Sequence, residues 1–149
     1  MEMIEILKVE KQEHFPPWMT YDTLANFLHE NMKPYEDTEE DIKRGLRYAL
    51  SEGDGKGGFL LLAVKNQDCM GALVILHTGM KGYIPENILL FVGVSPQLRG
   101  QGIGTCLIKR AVSESEGAIK LHVEYENPAM RLYEKMGFDT KYAEMRLSL

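Results

Sequence analysis

The chain contains 149 residues, of which 44% are hydrophobic and 26% are charged, and its formal net charge is −5. The length fits a single domain over residues 1–149, because domains most often contain roughly 100–150 residues. The composition is that of an average globular protein, which excludes general disorder and collagen-like repeats, and the acidic charge disfavours a nucleic-acid partner bound through its phosphates.

Membrane insertion and a disulfide framework are also disfavoured. The longest apolar runs, residues 59–64 and 88–92, are much shorter than the roughly 20 residues that span a bilayer. The N-terminus lacks the basic start and apolar stretch of a signal peptide. Two cysteines, Cys69 and Cys106, are too few for a disulfide framework. We therefore expect a cytoplasmic protein with no membrane partner.

The first third of the chain predicts one strand and two helices. Residues 3–9 are rich in branched apolar side chains and predict a strand. Residues 20–32 carry apolar side chains at helical spacing. Thr38 is a good N-cap for a second helix, whose acidic first turn suits the helix dipole. The glycine-rich stretch 53–58 then predicts a flexible turn.

Three apolar strands follow this turn. Residues 59–64 and 69–77 are joined by the short polar stretch 66–68, and this pattern predicts an antiparallel hairpin. A loop with glycine and proline leads to residues 88–94, which predict a further buried strand.

The second half of the chain predicts two more helices separated by a strand. The first helix begins at Ile103 and ends at Gly117, and residues 119–125 then alternate between apolar and polar side chains. Asn127 precedes a proline and is the predicted N-cap of the last helix. Residues 142–147 predict a final strand. The complete order predicts an α/β fold in which helices flank a mixed sheet.

A glycine-dense turn joins the strand at 88–94 to the helix that begins at Ile103. Gly100, Gly102 and Gly104 would let a phosphate approach the backbone without a Cβ in the way. The first N–H groups of a helix lack internal partners and carry partial positive charge. The turn is therefore a candidate site for a phosphate, to which the neighbouring arginine would add a charge.

Two common phosphate-binding patterns do not fit this turn. A P-loop requires Gly-Lys-Ser/Thr, which occurs nowhere in the chain. The dinucleotide pattern fails at its third glycine, because Thr105 is at that position. An ordinary strand-to-helix connection is the alternative, although three glycines within five residues exceed what a turn needs.

Residues 99–104, Arg-Gly-Gln-Gly-Ile-Gly, match the pattern R/Q-x-x-G-x-G/A, and residues 127–138 match a block of the form N…LYEK-x-GF. In these two motifs the chain resembles the GNAT N-acetyltransferases, whose first motif binds the pyrophosphate of acetyl-CoA. The resemblance implies the GNAT fold, with a single mixed, mostly antiparallel, twisted sheet of six to seven strands and about four helices. It also implies acetyl transfer from the cosubstrate acetyl-CoA to a primary amine of a small molecule, or of a peptide or protein, by direct attack in a ternary complex.

The resemblance further implies which residues bind acetyl-CoA. The strand before the glycine turn is expected to diverge from residues 119–125, so that the pantetheine arm pairs with exposed backbone and an N–H near Val92 polarises the thioester carbonyl. Asn127 matches a cofactor-binding asparagine of the family, but it is one position closer to Tyr133 than usual, so it is alternatively only a helix cap. The implied cofactor-binding residues are Phe91, Val92, Gly93, Val94, Arg99, Gly100, Gln101, Gly102, Ile103, Gly104, Thr105, Asn127 and Tyr133.

The same resemblance suggests catalytic residues. Tyr133 matches the tyrosine that protonates the departing CoA thiolate, and the alternative is a buried tyrosine of the last helix. The amine must also lose a proton. Glu86, His122 and Glu124 are the candidate general bases, each with a structural or solvated role as its alternative. The histidines show no metal-ligand spacing, so we expect no metal.

A second functional class remains open at this stage. A non-catalytic acyl-CoA-binding or sensor module on the same fold would need the same glycine turn, so the turn cannot distinguish it from an enzyme. The identity of the acceptor amine depends on loops that vary independently of the fold. Homodimers are common among such proteins, and the resemblance allows one here.

Overall fold

The computed structural model describes residues 3–52 and 55–148 and shows one five-stranded sheet with helices on both faces. The strands are β1 (Glu5–Val9), β2 (Gly58–Lys65), β3 (Asp68–His77), β4 (Asn87–Val94) and β5 (Ile119–Lys120). The helices are α1 (Tyr21–Asn31), α2 (Glu39–Ala49), α3 (Ile103–Glu114) and α4 (Ala129–Lys135), with short 3-10 turns at Gln12–His14 and Pro96–Leu98. The sheet order is β1-β2-β3-β4-β5. The first four strands are antiparallel, whereas β5 is parallel to β4. The predicted mixed α/β fold is confirmed.

The central strand β2 contributes to two hydrophobic cores. Leu60 and Leu62 pack with α1 and α2 on one face, whereas Phe59 and Leu61 pack with α3 and α4 on the other. A strand covered on both faces has no polar side, which explains why its sequence is continuously apolar.

Threonine side chains cap the first turns of α1 and α2, and the cap at Thr38 is the predicted one. Thr20 accepts a hydrogen bond from the Thr23 N–H at 3.1 Å and begins α1, and Thr38 accepts from the Asp41 N–H at 3.1 Å and begins α2. The β2–β3 hairpin turns at residues 66–67, both of which have positive φ. None of the described helices is long and apolar enough to cross a membrane.

A β-bulge in the middle of β4 turns two consecutive side chains toward α2. The β3–β4 register shifts between Val74 and Ile75, so that Leu90 and Phe91 face the same side of the sheet. Both side chains meet Gly45 in the middle of α2, where an added Cβ would come within 2.6 Å of Leu90. The missing side chain at Gly45 therefore makes room for the bulge.

Two strand predictions are wrong: the strand at residues 119–125 is shorter than predicted, and the strand at residues 142–147 is absent. Residues 119–125 pair only at Ile119 and Lys120, because β5 then diverges from β4. The predicted strand 142–147 does not form, and its apolar side chains Met145 and Leu147 are 89% and 87% exposed because they have no sheet to cover. The sheet accordingly has five strands instead of six to seven. Of the predicted turn 53–58, residues 53–54 lie outside the described part of the chain, and Gly58 already belongs to β2.

Asn87 fixes the point at which β5 joins the sheet. Its side chain is 1% exposed, and its Nδ2 donates to the Glu116 carbonyl at 2.7 Å and to the Ala118 carbonyl at 3.2 Å. Its Oδ1 lies 3.0 Å from His77 Nδ1, and its backbone N–H donates to the Ala118 carbonyl at 3.1 Å. One buried amide therefore attaches the segment before β5 to the beginning of β4.

We predict that Asn87→Ala lowers the free energy of unfolding by about 2–3 kcal/mol, because it leaves buried polar groups without partners. The measurement is the urea concentration at the midpoint of unfolding, for Asn87→Ala and for wild type at neutral pH. Asn26→Ala removes an exposed amide from α1 and is the matched control, for which we expect no loss. An equal midpoint for Asn87→Ala and wild type would contradict this role of Asn87.

Candidate functional site

A gap opens in the sheet where β4 and β5 diverge. The two strands pair only at Asn87–Ile119 and Ile88–Lys120, and β4 then continues to Val94 with no described strand on that side. Backbone groups alternate along a strand, and the Ser95 N–H donates to the Met70 carbonyl on the β3 side. The N–H groups of Val92 and Val94 therefore face the gap.

Only part of the predicted backbone segment is available at this gap. Phe91 and Gly93 pair with β3 through their backbone, so neither directs an N–H into the gap. The Phe91 side chain instead packs against α1 and α2. Gly93 faces α1, since an added Cβ would make an ordinary contact with Leu28 at 3.4 Å. Among the predicted residues 91–94, Val92 and Val94 have the required direction.

The glycine turn presents unpaired N–H groups. The Arg99 N–H donates to the Pro96 carbonyl and the Gln101 N–H donates to the Leu98 carbonyl, so these two of the predicted amides are already used. The first internal bond of α3 is from the Cys106 N–H to the Gly102 carbonyl. No partner within the described residues is found for the N–H groups of Gly100, Gly102, Ile103, Gly104 and Thr105.

The glycines shape this turn in two ways. Gly100 and Gly102 have φ values of 81° and 82°, a conformation that costs other residues energy, and a Cβ at either position would meet no protein atom. Gly104 has no such strain, and its Cβ would lie 3.6 Å from Leu132 and 3.9 Å from Val94. All three glycines line one open cavity of about 350 Å³.

Leu98 and Leu132 also line this cavity, although neither was predicted as a site residue. Leu132 lies on α4, which brings the second sequence motif next to the first. Its only signal in the sequence is the apolar stripe of α4, which indicates burial and not a site. The cavity therefore combines polar backbone at the turn with apolar side chains on its sides, as ligand sites commonly do.

Arg99 is exposed, but its guanidinium is already engaged with main-chain carbonyls. Its Nε donates to the Val94 carbonyl at 3.1 Å and its Nη2 donates to the Asn31 carbonyl at 2.9 Å. The side chain thereby joins the end of β4 to the last residue of α1. This arrangement differs from the predicted role, in which Arg99 adds a charge for a phosphate.

Tyr133 lies in the core on the same face of the sheet as Val92. Its side chain is 8% exposed, and its ring meets the Phe138 ring edge-on with centroids 5.9 Å apart. Burial raises the pKa of the Tyr133 hydroxyl to about 12, because the charged form loses hydration. The hydroxyl therefore stays protonated at neutral pH and has a proton to donate.

Asn127 caps the last helix. Its Oδ1 accepts a hydrogen bond from the Ala129 N–H at 2.9 Å, and α4 begins at Ala129, one residue later than predicted. The Asn127 side chain thus makes a capping hydrogen bond at the start of α4. The side-chain Nδ2 has no partner among the described residues and retains its capacity to donate.

The three predicted general bases occupy different places. Glu86 precedes β4, accepts a hydrogen bond from the Ala118 N–H at 3.2 Å and has a pKa held below its usual range by backbone hydrogen bonds. Along an extended strand it is roughly 20 Å from Val92. His122 and Glu124 are exposed and alternate with Leu121 and Val123, which pack on the α3 and α4 side. The structure does not bring Glu86 together with this pair.

The amino-acid sequence of this chain matches those of known acetyltransferases. A family profile described as an acetyltransferase (GNAT) domain matches residues 56–140. A curated acetyltransferase of Pectobacterium atrosepticum is 27% identical over 139 residues, which cover 90% of this chain and 87% of that protein. The chain therefore belongs to the GNAT acetyltransferase family.

Solved structures show the same fold over the whole chain. The aminoglycoside N-acetyltransferase AAC(6′)-Iy, determined in complex with CoA, superposes with a TM-score of 0.70 at 12% identity and covers 100% of this chain and 96% of its own. A protein described as a transcriptional regulator from Bacillus halodurans superposes with a TM-score of 0.69 at 19% identity, covering 99% and 100%. At these identities the likeness concerns the fold alone.

We predict that the amides of Gly100 and residues 102–105 exchange with solvent at nearly unprotected rates in the ligand-free protein, because no acceptor protects them. Residue-resolved hydrogen exchange by NMR at neutral pH measures this. Leu107, which is buried within α3, is the internal reference and should be protected. Slow exchange at residues 102–105 would mean that these amides are satisfied internally.

Proposed function

We propose that the protein transfers the acetyl group of acetyl-CoA to a primary amine by direct attack in a ternary complex. The observation that carries the proposal is the set of unpaired amides at Gly100 and residues 102–105, which follow the end of β4, where β4 no longer pairs with β5. Membership of the GNAT family supports this reading.

The glycine turn suits a diphosphate. Its free N–H groups can donate to phosphate oxygens, and the positive end of the α3 dipole adds a favourable field. Gly100, Gly102 and Gly104 have no side chain that would keep a phosphate away from these amides. The residues present therefore fit the diphosphate of CoA. The apolar walls formed by Val94 and Leu132 suit the adjoining pantetheine arm.

The gap next to Val92 suits the reactive end of the cosubstrate. The Val92 N–H would donate to the thioester carbonyl oxygen and stabilise the negative charge that develops as the amine attacks the carbonyl carbon. The carbon–sulfur bond then breaks and the electron pair leaves with sulfur. Tyr133 would donate its hydroxyl hydrogen to that sulfur.

The acidity of Tyr133 limits how far this proton moves. A thiol has a pKa near 8.5, so complete transfer from a hydroxyl of pKa about 12 to the thiolate would cost about 5 kcal/mol. Tyr133 therefore acts mainly by hydrogen bonding to the departing sulfur. The proton that finally resides on CoA comes from the amine through the general base and solvent.

The general base is proposed to be His122 or Glu124, acting directly or through water. An alkylamine of pKa about 10.4 is mostly protonated at pH 7, which costs roughly 4–5 kcal/mol. His122 and Glu124 are exposed to solvent, whereas the Glu86 carboxylate accepts a hydrogen bond from the Ala118 N–H. We rank Glu86 last for that reason.

The acceptor that we propose is a small-molecule amine, with a peptide or protein amine as the second candidate. The neighbour AAC(6′)-Iy is described as an aminoglycoside N-acetyltransferase, which supports a small-molecule acceptor. We place the protein in the reducing cytoplasm, where Cys69 and Cys106 would remain free thiols, as they are in the structure. The rival function is a non-catalytic acyl-CoA sensor.

A CoA-release screen distinguishes the two functions. Wild-type protein is incubated with acetyl-CoA and a panel of amino acids, polyamines, aminoglycosides and peptides, and free thiol is measured. An enzyme releases CoA in proportion to at least one amine. Tight acetyl-CoA binding without thiol release across the panel would favour the sensor.

We predict that Gly104→Val weakens acetyl-CoA binding by at least about tenfold, because its methyl groups would fill the cradle beside the free amides. Gly104→Ala is the matched control. Its Cβ makes only ordinary contacts with Leu132 and Val94, so the fold should be kept and affinity should fall less than in Gly104→Val. Calorimetric titration measures both, with urea unfolding to verify the fold. Equal affinity for Gly104→Val and wild type would remove the turn from the binding site.

We predict that Tyr133→Phe lowers kcat by about 10- to 100-fold, the contribution expected of one hydrogen bond to the negatively charged departing sulfur. Acetyl-CoA affinity should change less than twofold, since the ring and its contacts remain. Tyr125→Phe, at a tyrosine that is 77% exposed, is the control and should leave kcat unchanged. An unchanged kcat in Tyr133→Phe would assign the residue to core packing.

A further inference from the structure

Arg99 connects two elements that belong to different parts of the sequence. Its Nε donates to the Val94 carbonyl at the end of β4, and its Nη2 donates to the Asn31 carbonyl at the end of α1. A guanidinium presents its donors in a rigid plane, so two bonds to two main-chain carbonyls fix the relative position of these ends. The positive charge also suits the C-terminal end of α1.

The same end of α1 packs closely on β4. An added Cβ at Gly93 would lie 3.4 Å from Leu28, 3.6 Å from Asn31 and 3.6 Å from Met32. Gly93 is next to Val92, whose N–H faces the gap. The chain that leaves α1 therefore begins beside the backbone that we propose holds the thioester.

The chain after α1 is attached again on the far side of the gap. The Tyr35 N–H donates to the Met32 carbonyl at 2.9 Å, and the Tyr35 hydroxyl donates to the Glu126 carbonyl at 3.0 Å. Glu126 lies in the loop that leads from β5 to α4. Residues 31–35 thus run between two hydrogen-bonded anchors, Arg99 on the β4 side and Tyr35 on the α4 side.

We propose that Arg99 is a positioning residue that holds residues 31–35 across the α1 side of the gap, and that it controls access of the amine instead of binding the diphosphate. The proposal rests on the acetyl transfer proposed above. On the opposite face, Val92 packs against the core formed with α3 and α4. The α1 side is the one from which an amine can reach the thioester.

The test compares Arg99→Gln, Arg99→Lys and Tyr35→Phe with wild type in the full chain. Arg99→Lys keeps the charge but loses the planar pair of donors, and Tyr35→Phe removes the second anchor while keeping the ring. Arg110→Gln is the matched control, because Arg110 makes a single ion pair with Glu114 on the surface of α3. Hydrogen exchange, CoA titration and steady-state kinetics are measured for each variant.

We expect exchange at the amides of Met32 and Tyr35 to rise about tenfold in all three variants, the factor that corresponds to loss of one hydrogen bond. Exchange at Leu107 should not change. CoA affinity should stay within twofold of wild type. The KM for the amine that releases the most CoA in the screen described above should rise about tenfold while the KM for acetyl-CoA remains constant. Arg110→Gln should match wild type throughout.

Two outcomes would overturn the proposal. If Arg99→Gln weakens CoA binding tenfold or more and Arg99→Lys restores it, Arg99 is a ligand of the diphosphate. If exchange at the amides of Met32 and Tyr35 is unchanged in the variants, the anchors do not hold this segment. Failure of wild type to bind CoA at all would instead refute the proposed function, and the exchange measurement would still test the anchors.

Discussion

The early separation of β4 from β5 is the constraint on which the site depends. Asn87 holds the beginning of β5 with hydrogen bonds to the Glu116 and Ala118 carbonyls, and pairing ends one residue later at Ile88. Unpaired backbone is costly inside a protein unless a ligand or water satisfies it. A gap that exposes N–H groups within a sheet is thus suited to a ligand that can accept hydrogen bonds in extended form.

The glycine turn extends this gap with a second set of donors. Since β4 leads directly into the turn and then into α3, the free amides of Gly100 and residues 102–105 continue from the free amides of β4. One ligand can therefore meet an apolar, strand-like surface at one end and a positively polarised helix start at the other. Acetyl-CoA has this order of parts, with the thioester and pantetheine preceding the diphosphate.

The sequence predicted those features that depend on local chemistry. The helix cap at Thr38 and the glycine turn follow from short-range rules, and the structure confirms the helices that they begin. The alternation at residues 119–125 was interpreted as a strand. Leu121 and Val123 do pack on the core, so the pattern correctly reported burial. The pattern could not predict how many of these residues pair with β4, because backbone pairing depends on the direction that β4 takes in the folded sheet.

Contacts between distant residues could not be predicted in this way. The bond from Arg99 to the Asn31 carbonyl joins residues 68 positions apart, and no local pattern distinguishes an arginine that binds a carbonyl from one that binds a phosphate. The choice between Glu86 and the pair His122 and Glu124 likewise depends on the hydrogen bond to Ala118, a contact created by the fold.

The most direct test of the account is an NMR titration of the ligand-free protein with CoA, followed through backbone amide signals. The account predicts saturable shifts concentrated at Val92, Gly100 and residues 102–105, with small changes at Arg99 and Gln101, whose amides already donate internally. Saturation with shifts located elsewhere, and none at residues 100–105, would contradict the central claim that this turn binds the cosubstrate.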